Sequence, residues 1–409
     1  MRILILFQIF NLSWCDSIVR EYLDAVAKFG NENIVSQHSS SRGGNQKSLS
    51  STLNYVDKEH FLAFKKFKDN VNVINKDDNI PFTASINKFS IMTGPERELY
   101  TGLNVSMMEE KGPYHLSTST GKLKALPKAI DWEKRGAQVA IKDQGACRGC
   151  WAFAAISAIE GGYFQLTGEL ESFSEQEILD CVYEWSRPRL YGCKDGGWPV
   201  RAYDYVQMSD RLASNKDAGF LKKDGPCRYG NVQNSLKKAK VVGNEKFTGD
   251  KGLKEAVAGG VASVALYISY SFHAYDKGVY EDPSACSGDA NHAITVVGYG
   301  SSEGRNFWRV RNSWGSDWGE NGYMKFSRDI PNHCSITKHV DRPIIKCRKP
   351  GACKNKNKDD DVKPKCENVW PDSYCNAAAY YCKREREGKE KEFQMKIKTN
   401  CKKSCRLCD

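Results

Sequence analysis

The segment Asp143-Gln-Gly-Ala-Cys-Arg-Gly-Cys-Trp-Ala-Phe153 sets two cysteines, Cys147 and Cys150, ahead of a nearly all-apolar run. A thiol is a nucleophile only as thiolate, and its ordinary pKa of about 8.5 leaves little of that form at neutral or acid pH. A helix N-terminus and a neighbouring imidazolium both lower it. Trp151 to Glu160 is helix-compatible and ends at Gly161-Gly162, which predicts a buried helix with Cys150 at its positive end. Gln144, six residues upstream, is placed to aim an amide donor at a developing oxyanion. Seven histidines are available as a base. Asn291-His-Ala-Ile-Thr-Val-Val-Gly-Tyr-Gly300 puts His292 at the start of a β-branched strand, where an imidazole is held rigidly. In Arg311-Asn-Ser-Trp-Gly-Ser-Asp-Trp-Gly-Glu-Asn-Gly-Tyr323, Asn312 can accept the other ring N–H while Trp314 keeps water from that bond.

These elements lie within 409 residues, enough for two or three units rather than one core. Met1-Arg2 followed by an apolar stretch, Ile3 to Phe10, and small residues at Ser13, Cys15 and Ser17 has the layout of a secretory signal peptide, predicted over residues 1–17. Nothing after it is apolar for long enough to span a bilayer. Sixteen cysteines fit an exported chain that forms disulfides. Loss of Cys15 with the signal leaves fifteen, and an odd number points to one free, reactive thiol. The net charge of +11 is concentrated at the end, with seventeen Lys and Arg against ten Asp and Glu over residues 347–409. That tail reads as a solvated basic surface; an acidic glycan or lipid headgroup is the other partner it would suit. A nucleic-acid partner is disfavoured by export and by the lack of a recognition motif.

Residues 31–52 are rich in Ser, Asn, Gln and Gly and read as disordered. Phe61, Phe64, Phe67, Val71 and Ile74 then recur at helical spacing, predicting an amphipathic helix over 56–78 that stops in the polar cluster Asn75 to Asn79. Composition shifts again at Leu126-Pro127, where an aromatic-rich middle begins, and after Cys347, where 354–365 is a charge run expected to be an exposed linker. Six cysteines at 366–408 with few aliphatics cannot build a core without disulfides. No metal or other cofactor is expected.

Residues 126–345 resemble the papain and cathepsin L family of cysteine proteases. The matching residues are Leu126-Pro127, Asp131-Trp132, Gln144-Gly145, Cys147, Cys150-Trp151-Ala-Phe, Ser174-Glu-Gln-Glu, Asp180-Cys181, His292 and Asn312-Ser-Trp-Gly. In that family His and Asn follow the Cys by about 130–150 residues. Here the separations are 142 and 162, the longer one consistent with a surface-loop insertion at 184–190. The resemblance implies an α+β, two-lobed fold, one lobe mainly helical and the other a β-barrel-like sheet, with the cleft between them. It implies a Cys150–His292 pair oriented by Asn312, with Gln144 and the Cys150 backbone N–H holding the oxyanion, and hydrolysis through an acyl-enzyme. It also implies pairs Cys147–Cys193, Cys181–Cys227 and Cys286–Cys334, leaving Cys150 free. Substrate would pair along Gly196-Gly197, with Trp198 and Pro199 at the main specificity pocket beside Asn291. Ala265, Ala290 and His339 would complete that pocket, the histidine making specificity pH-dependent.

Two departures stand out. Arg148 replaces a glycine beside the site for the residue before the scissile bond, where it is expected to disfavour basic residues. The loop Cys193-Lys-Asp-Gly196-Gly197 is one residue longer than usual. The 56–78 helix resembles the inhibitory propeptide of these proteases, with Glu59, Phe67, Asn70 and Ile74 on its pattern but Ala63 in place of Arg and Asp78 in place of Asn. Phe82 to Thr93 resembles the strand-like piece that follows, keeping Asn87 and Phe89 but with Ser85 and Ile91 for Gly and Asp. Residues 18–125, with their core at 56–95, would thus fold back on the enzyme and inhibit it, and Asn104-Val-Ser106 is a glycosylation acceptor within them. The tail resembles the sea anemone toxin-like (ShKT) domain, implying Cys366–Cys408, Cys375–Cys401 and Cys382–Cys405, with Cys347–Cys353 closing a small loop in the linker, residues 346–365. Lys396 is followed by Ile397 rather than an aromatic, so a tethering or protein-binding role is favoured over channel block. The chain therefore reads as a secreted, monomeric zymogen of a cysteine endopeptidase acting on proteins or peptides, with lysosomal delivery as the other destination. The rival reading is a catalytically silent, toxin-like binding protein.

Overall fold

A computed structural model describes residues 17–30, 58–103, 126–185, 191–286, 288–349 and 351–353. The expectations for the signal peptide up to residue 16, the polar stretch 31–52, Asn104, the linker from 354 and the Cys366–Cys408, Cys375–Cys401 and Cys382–Cys405 pairs lie outside the described residues.

The described residues begin with a helix over 17–29, α1, whose Ile18, Tyr22, Ala25 and Val26 form one apolar face. That face packs on Phe64 of α2 (Lys58–Lys76) and on Ile91. The periodicity that predicts α2 is equally present at 18, 22, 25 and 26, and the sequence reading passed over it. Phe67, Val71 and Ile74 turn the same helix toward the rest of the molecule. Asn75 then ties the helix end to the next strand, its side chain donating to the Ala84 carbonyl and accepting from the Ala84 N–H, both at 2.8 Å. Next come β1 (Phe82–Ala84), a short 3-10 turn at Lys88–Ile91 and α3 (Gly94–Glu98), opened by a Thr93/Glu96 capping box.

From residue 126 the chain runs through β2 (Ile130–Asp131) and three helices, α4 (Cys150–Thr167), α5 (Glu175–Trp185) and α6 (Pro199–Ser209). α4 is apolar nearly all round because it is buried nearly all round. It does not end at Gly161-Gly162. A Cβ at Gly161 would lie 2.5 Å from the Val261 side chain and one at Gly162 2.7 Å from Ile345, so these glycines let neighbouring strands approach closely. The helix ends instead at Gly168, whose φ of +72° closes a left-handed cap. Glu184, expected in an inserted loop, falls inside α5; only 186–190 of that stretch lie outside the described residues.

The remainder is β3 (Ala239–Phe247), α7 (Gly249–Gly259), β4 (Ala262–Leu266), α8 (Tyr270–Ala274), β5 (Tyr275–Tyr280), β6 (His292–Ser302), β7 (Arg305–Arg311), β8 (Tyr323–Ser327) and β9 (His339–Cys347). The nine-stranded sheet has the order β1-β5-β8-β7-β6-β4-β9-β3, with β2 also pairing β6. All pairs are antiparallel except β5 with β8. Its edge strand β1 belongs to the N-terminal segment, pairing Phe82 with Gly278. Two large apolar cores result, one around the helices (Trp151, Ile156, Leu179, Tyr203, Val206) and one on the sheet (Ile294, Trp308, Val310, Trp314, Phe326). The fold is thus α+β, in two lobes. Cys147–Cys193 and Cys181–Cys227 close loops in the helical lobe, Cys286–Cys334 closes one in the sheet lobe, and Cys347–Cys353 closes the small loop after β9.

Candidate active site

The two lobes meet where α4 begins and β6 begins. Cys150 is the first residue of α4, is fully buried, and is the free cysteine among the described residues. Gly149 caps the helix with no side chain, so the Cys150 and Trp151 backbone N–H groups are left to meet the sulfur; the Ala293 N–H, next to His292, reaches it from the other lobe. Cys150 and His292 are therefore delivered by the ends of two rigid elements.

His292 opens β6 and is fully buried. Its Nε2–H donates to Asn312 Oδ1 at 2.9 Å, which leaves Nδ1 with the lone pair. Trp314 lies against the imidazole, centroids 4.9 Å apart, and seals that bond from water. Asn312 Oδ1 also accepts from the Ser313 N–H at 2.8 Å, which fixes the amide. Burial pushes the Cys150 thiol up to about 12, against the pull of those N–H groups and of Arg148. Burial likewise brings the His292 imidazole down to about 4, against its bond to Asn312.

The loop before α4 is locked from three sides. Ser313 Oγ donates to Gln144 Oε1 at 2.6 Å, and the Gln144 N–H donates to the Ser313 carbonyl at 2.8 Å. Arg311 donates to the carbonyls of Val139 and Ala140, both at 2.8 Å. Lys142 is buried between Glu160 at 2.8 Å and Glu175 at 2.6 Å. Ser313, Arg311 and Lys142 were given no role from the sequence. Ser313 and Arg311 flank Asn312, so the motif that names the asparagine also holds the signal for both.

What covers the cleft is the N-terminal segment. The Tyr100 carbonyl accepts from Gln144 Nε2 at 3.2 Å and from Trp314 Nε1 at 3.0 Å. The Gly102 and Leu103 N–H groups donate to the Asn291 carbonyl at 3.0 and 3.1 Å, and the Gly197 N–H donates to the Gly102 carbonyl at 2.8 Å. The contact is close: a Cβ on Gly196, itself at φ +77°, would lie 2.1 Å from the Gly102 carbonyl oxygen, and one on Gly102 2.2 Å from that of Arg148. Leu103 packs on Trp198, Val200 and Ala265, with Ala290 beside it. Pro199 starts α6 just after Trp198, its fixed φ suited to the first helical position.

His339 pairs with Ala265 across β4 and β9, and its ring stands edge-on to Trp198 at 5.4 Å. Burial, with Lys246 and Lys338 nearby, brings its imidazole down to about 4. The pH-dependence expected of this pocket therefore falls below the range in which histidine ordinarily titrates. Arg148 is partly exposed, its guanidinium 3.9 Å from Glu98 of the N-terminal segment. A cavity of about 690 Å³, lined by residues such as Arg135, Phe164, Gln165 and Arg342, includes none of these cleft residues.

A cysteine at a helix N-terminus facing a histidine–asparagine pair across a two-lobed cleft is the architecture of a thiol hydrolase. Residues 126–344 match the model of the Papain family cysteine protease, and the chain belongs to that family. It is 35% identical to fruit bromelain of Ananas comosus over 303 residues, 72% of this chain and 83% of that protein. It is 37% identical to cathepsin L2 of Homo sapiens over 281 residues, 64% of this chain and 78% of that one. The solved structure of digestive procathepsin L 3 from Tenebrio molitor larval midgut superposes with a TM-score of 0.63 at 25% identity, covering 80% of this chain and 98% of that one. The fold is of the zymogen type, and the chain is a hydrolase of the cysteine-protease class. The silent, toxin-like alternative finds no support in these relatives.

Proposed function

We propose that the protein is the zymogen of a secreted cysteine endopeptidase in which Cys150 is the nucleophile and His292 the base. The observation that carries this reading is the Tyr100 carbonyl, which accepts from the Gln144 amide and from Trp314 as a scissile carbonyl would. With the N-terminal segment gone, solvent and the helix end favour the charged pair, and His292 takes the Cys150 proton. The thiolate attacks the peptide carbonyl carbon, and the oxyanion receives the Gln144 amide and the Cys150 N–H. His292 returns the proton to the leaving amine, giving a thioester. A water that loses its proton to His292 then attacks the thioester, releasing the acid and the thiol. Asn312 and Trp314 hold the imidazole in the productive tautomer throughout.

Residues 18–125 act as the inhibitory prosegment, and Leu103 marks an apolar specificity pocket of Trp198, Ala265 and Ala290 with His339 at its edge. Arg148 disfavours a basic residue just before the scissile bond; its neighbour Glu98 supplies the opposite charge in the precursor. The chain works as a monomer, exported or delivered to lysosomes; among the described residues no helix is long and apolar enough to cross a membrane. The cysteine-rich tail tethers it to a surface or protein target.

The test is labelling by an epoxide-type thiol inhibitor, before and after acid processing, in wild type and Cys150→Ala. Labelling only after processing, and only with Cys150 present, is the expected result. A folded, processed wild-type protein that takes up no label would overturn the assignment.

A further inference from the structure

Lys88, on the 3-10 turn of the prosegment, sends its ammonium into the catalytic half. Its Nζ donates to Asp143 Oδ2 at 3.1 Å and to the Trp314 carbonyl at 2.5 Å, and lies 3.9 Å from Asp317 Oδ1. The side chain is only 11% exposed. The receiving groups are already arranged for a cation. Asp143 spends Oδ1 on the Gly145 N–H at 2.9 Å, which leaves Oδ2 pointed at the ammonium. Gly315, at φ +79°, sits between the two carboxylates: a Cβ there would lie 2.8 Å from Asp317 Oδ1 and 3.5 Å from Asp143 Oδ2. All three acceptors belong to the enzyme, so they stay when the prosegment leaves. Two carboxylates and a carbonyl converging without a cation would then be an unsatisfied, electronegative corner.

The corner lies beside the reacting atoms. Asp143 adjoins Gln144, bridges to Trp314 across the cleft floor, and so touches the residue that covers His292. The Leu103 pocket, reached through Gly196 and Gly197, lies on the other side of the Tyr100 carbonyl that Gln144 holds. If that pocket takes residues before the scissile bond, the acidic corner faces those after it.

We infer that Asp143, Asp317 and the Trp314 carbonyl form a cation subsite that Lys88 fills in the precursor and that a lysine or arginine side chain of the substrate fills in the mature enzyme, on the leaving-group side of the scissile bond. This rests on the catalytic assignment above and adds to it the charge of the preferred substrate. A charge-assisted hydrogen bond to a planar carboxylate suits either cation, and the carbonyl adds a second acceptor to the same head group.

The test uses processed enzyme, counted by epoxide titration of Cys150, and quenched fluorescent peptides of one sequence. Lys, norleucine or Glu is placed in turn at each of the first three positions after the scissile bond. At one of these positions kcat/KM for Lys is expected to exceed that for norleucine roughly tenfold, equivalent to about 1.4 kcal/mol, with Glu below both. The Asp143→Asn, Asp317→Asn double variant brings the Lys-to-norleucine ratio to about one. The ratio is the readout because Asp143→Asn can also disturb the Gln144 loop and lower all rates together. A ratio near one at all three positions in wild type, or a ratio unchanged in the double variant, overturns the subsite. Absence of epoxide labelling instead strikes the catalytic assignment. In that case the subsite is still read by fluorescence anisotropy of a synthetic peptide spanning residues 82–103. Lys88→Met in that peptide should weaken binding to the processed protein at least fivefold, and equal binding of the two peptides would overturn the subsite.

Discussion

The catalytic half and the N-terminal segment share one cleft, but they are held there by different kinds of contact. The catalytic half fixes its residues from within. Asn312, Ser313 and Gln144 bond to one another, Lys142 is buried against two carboxylates, and disulfides close the loops around them. The N-terminal segment is held from outside, by Phe67, Val71, Ile74 and Phe89 laid on the sheet-lobe core, one edge strand, backbone bonds to Asn291 and Gly197, the Tyr100 carbonyl, the Leu103 side chain and the Lys88 ammonium. The first set makes a site that keeps its geometry when the cover leaves. The second makes a cover that can leave, since among the described residues none of these contacts is covalent beyond the chain itself. Ile91 of the 3-10 turn is buried in the apolar cluster that joins α1 to α2. That packing carries no titratable side chain at Ile91.

The sharpest way to break the contrast is to remove a fixed residue from within. Gln144→Ala takes away the amide that holds the Tyr100 carbonyl. It is expected to lower kcat of the processed enzyme by about 10²–10³-fold with little change in KM, as for the loss of one oxyanion donor. Steady-state kinetics normalised to epoxide-titrated sites measures this. An unchanged kcat would move the oxyanion seat away from Gln144.

A smaller effect should come from loosening the cover. Gly102→Val puts a side chain where a Cβ already lies 2.2 Å from the Arg148 carbonyl oxygen. The enzyme backbone there is pinned by the Arg148 N–H donating to the Cys193 carbonyl at 2.9 Å, so the prosegment is the part that moves. The unprocessed variant should take up epoxide label at neutral pH at least about tenfold faster than unprocessed wild type, a modest loss of prosegment affinity. Equal labelling rates would mean that inhibition depends on contacts other than the Gly102 strand.

How much of this could be read in the chain follows the same division. Cys150, Gln144, His292 and Asn312 each stand in a short stretch whose own residues announce their setting: an apolar helix after the cysteine, a β-branched strand after the histidine, glycines and tryptophans around the asparagine. The α+β architecture and the α2 helix follow from periodicities of the same short range. Lys88 could not be found that way, because its partners lie 55 and 226 residues further on and only the fold brings them together. Gly161 and Gly162 were misread for a related reason. A glycine pair looks like a helix end unless the strands that press on it are known. His339 reaches the Trp198 pocket, yet its environment and not its identity decides its titration, and burial is invisible in a sequence.

The most delicate effect concerns pH at the seam between the two regions. Ile91 offers no titratable group there, and the imidazole at the seam is that of His273 of α8. Its ring stacks on Trp314 at 5.1 Å and meets Phe89 of the prosegment edge-on at 4.9 Å, while its carbonyl accepts from Asn87 Nδ2 at 2.8 Å. Burial, with Arg97 nearby, brings this imidazole down to about 3. A histidine whose folded pKa lies below its unfolded value of about 6.5 binds fewer protons when folded. Its contribution is intact above pH 6.5 and is lost as pH falls from there towards 3. At pH 5 that loss amounts to at most about 2 kcal/mol. Asp204 and Asp341, raised to about 7 by burial, act in the opposite sense, gaining as pH falls, so the total stability curve mixes both signs. The informative quantity is therefore a difference. In a Cys150→Ala background that cannot process itself, His273→Phe keeps an aromatic ring against Trp314 and Phe89 but removes the proton site. Between pH 7 and pH 5 this variant should lose less stability in urea unfolding than the parent, by up to that amount. If the two lose stability in parallel, the histidine is silent at the seam.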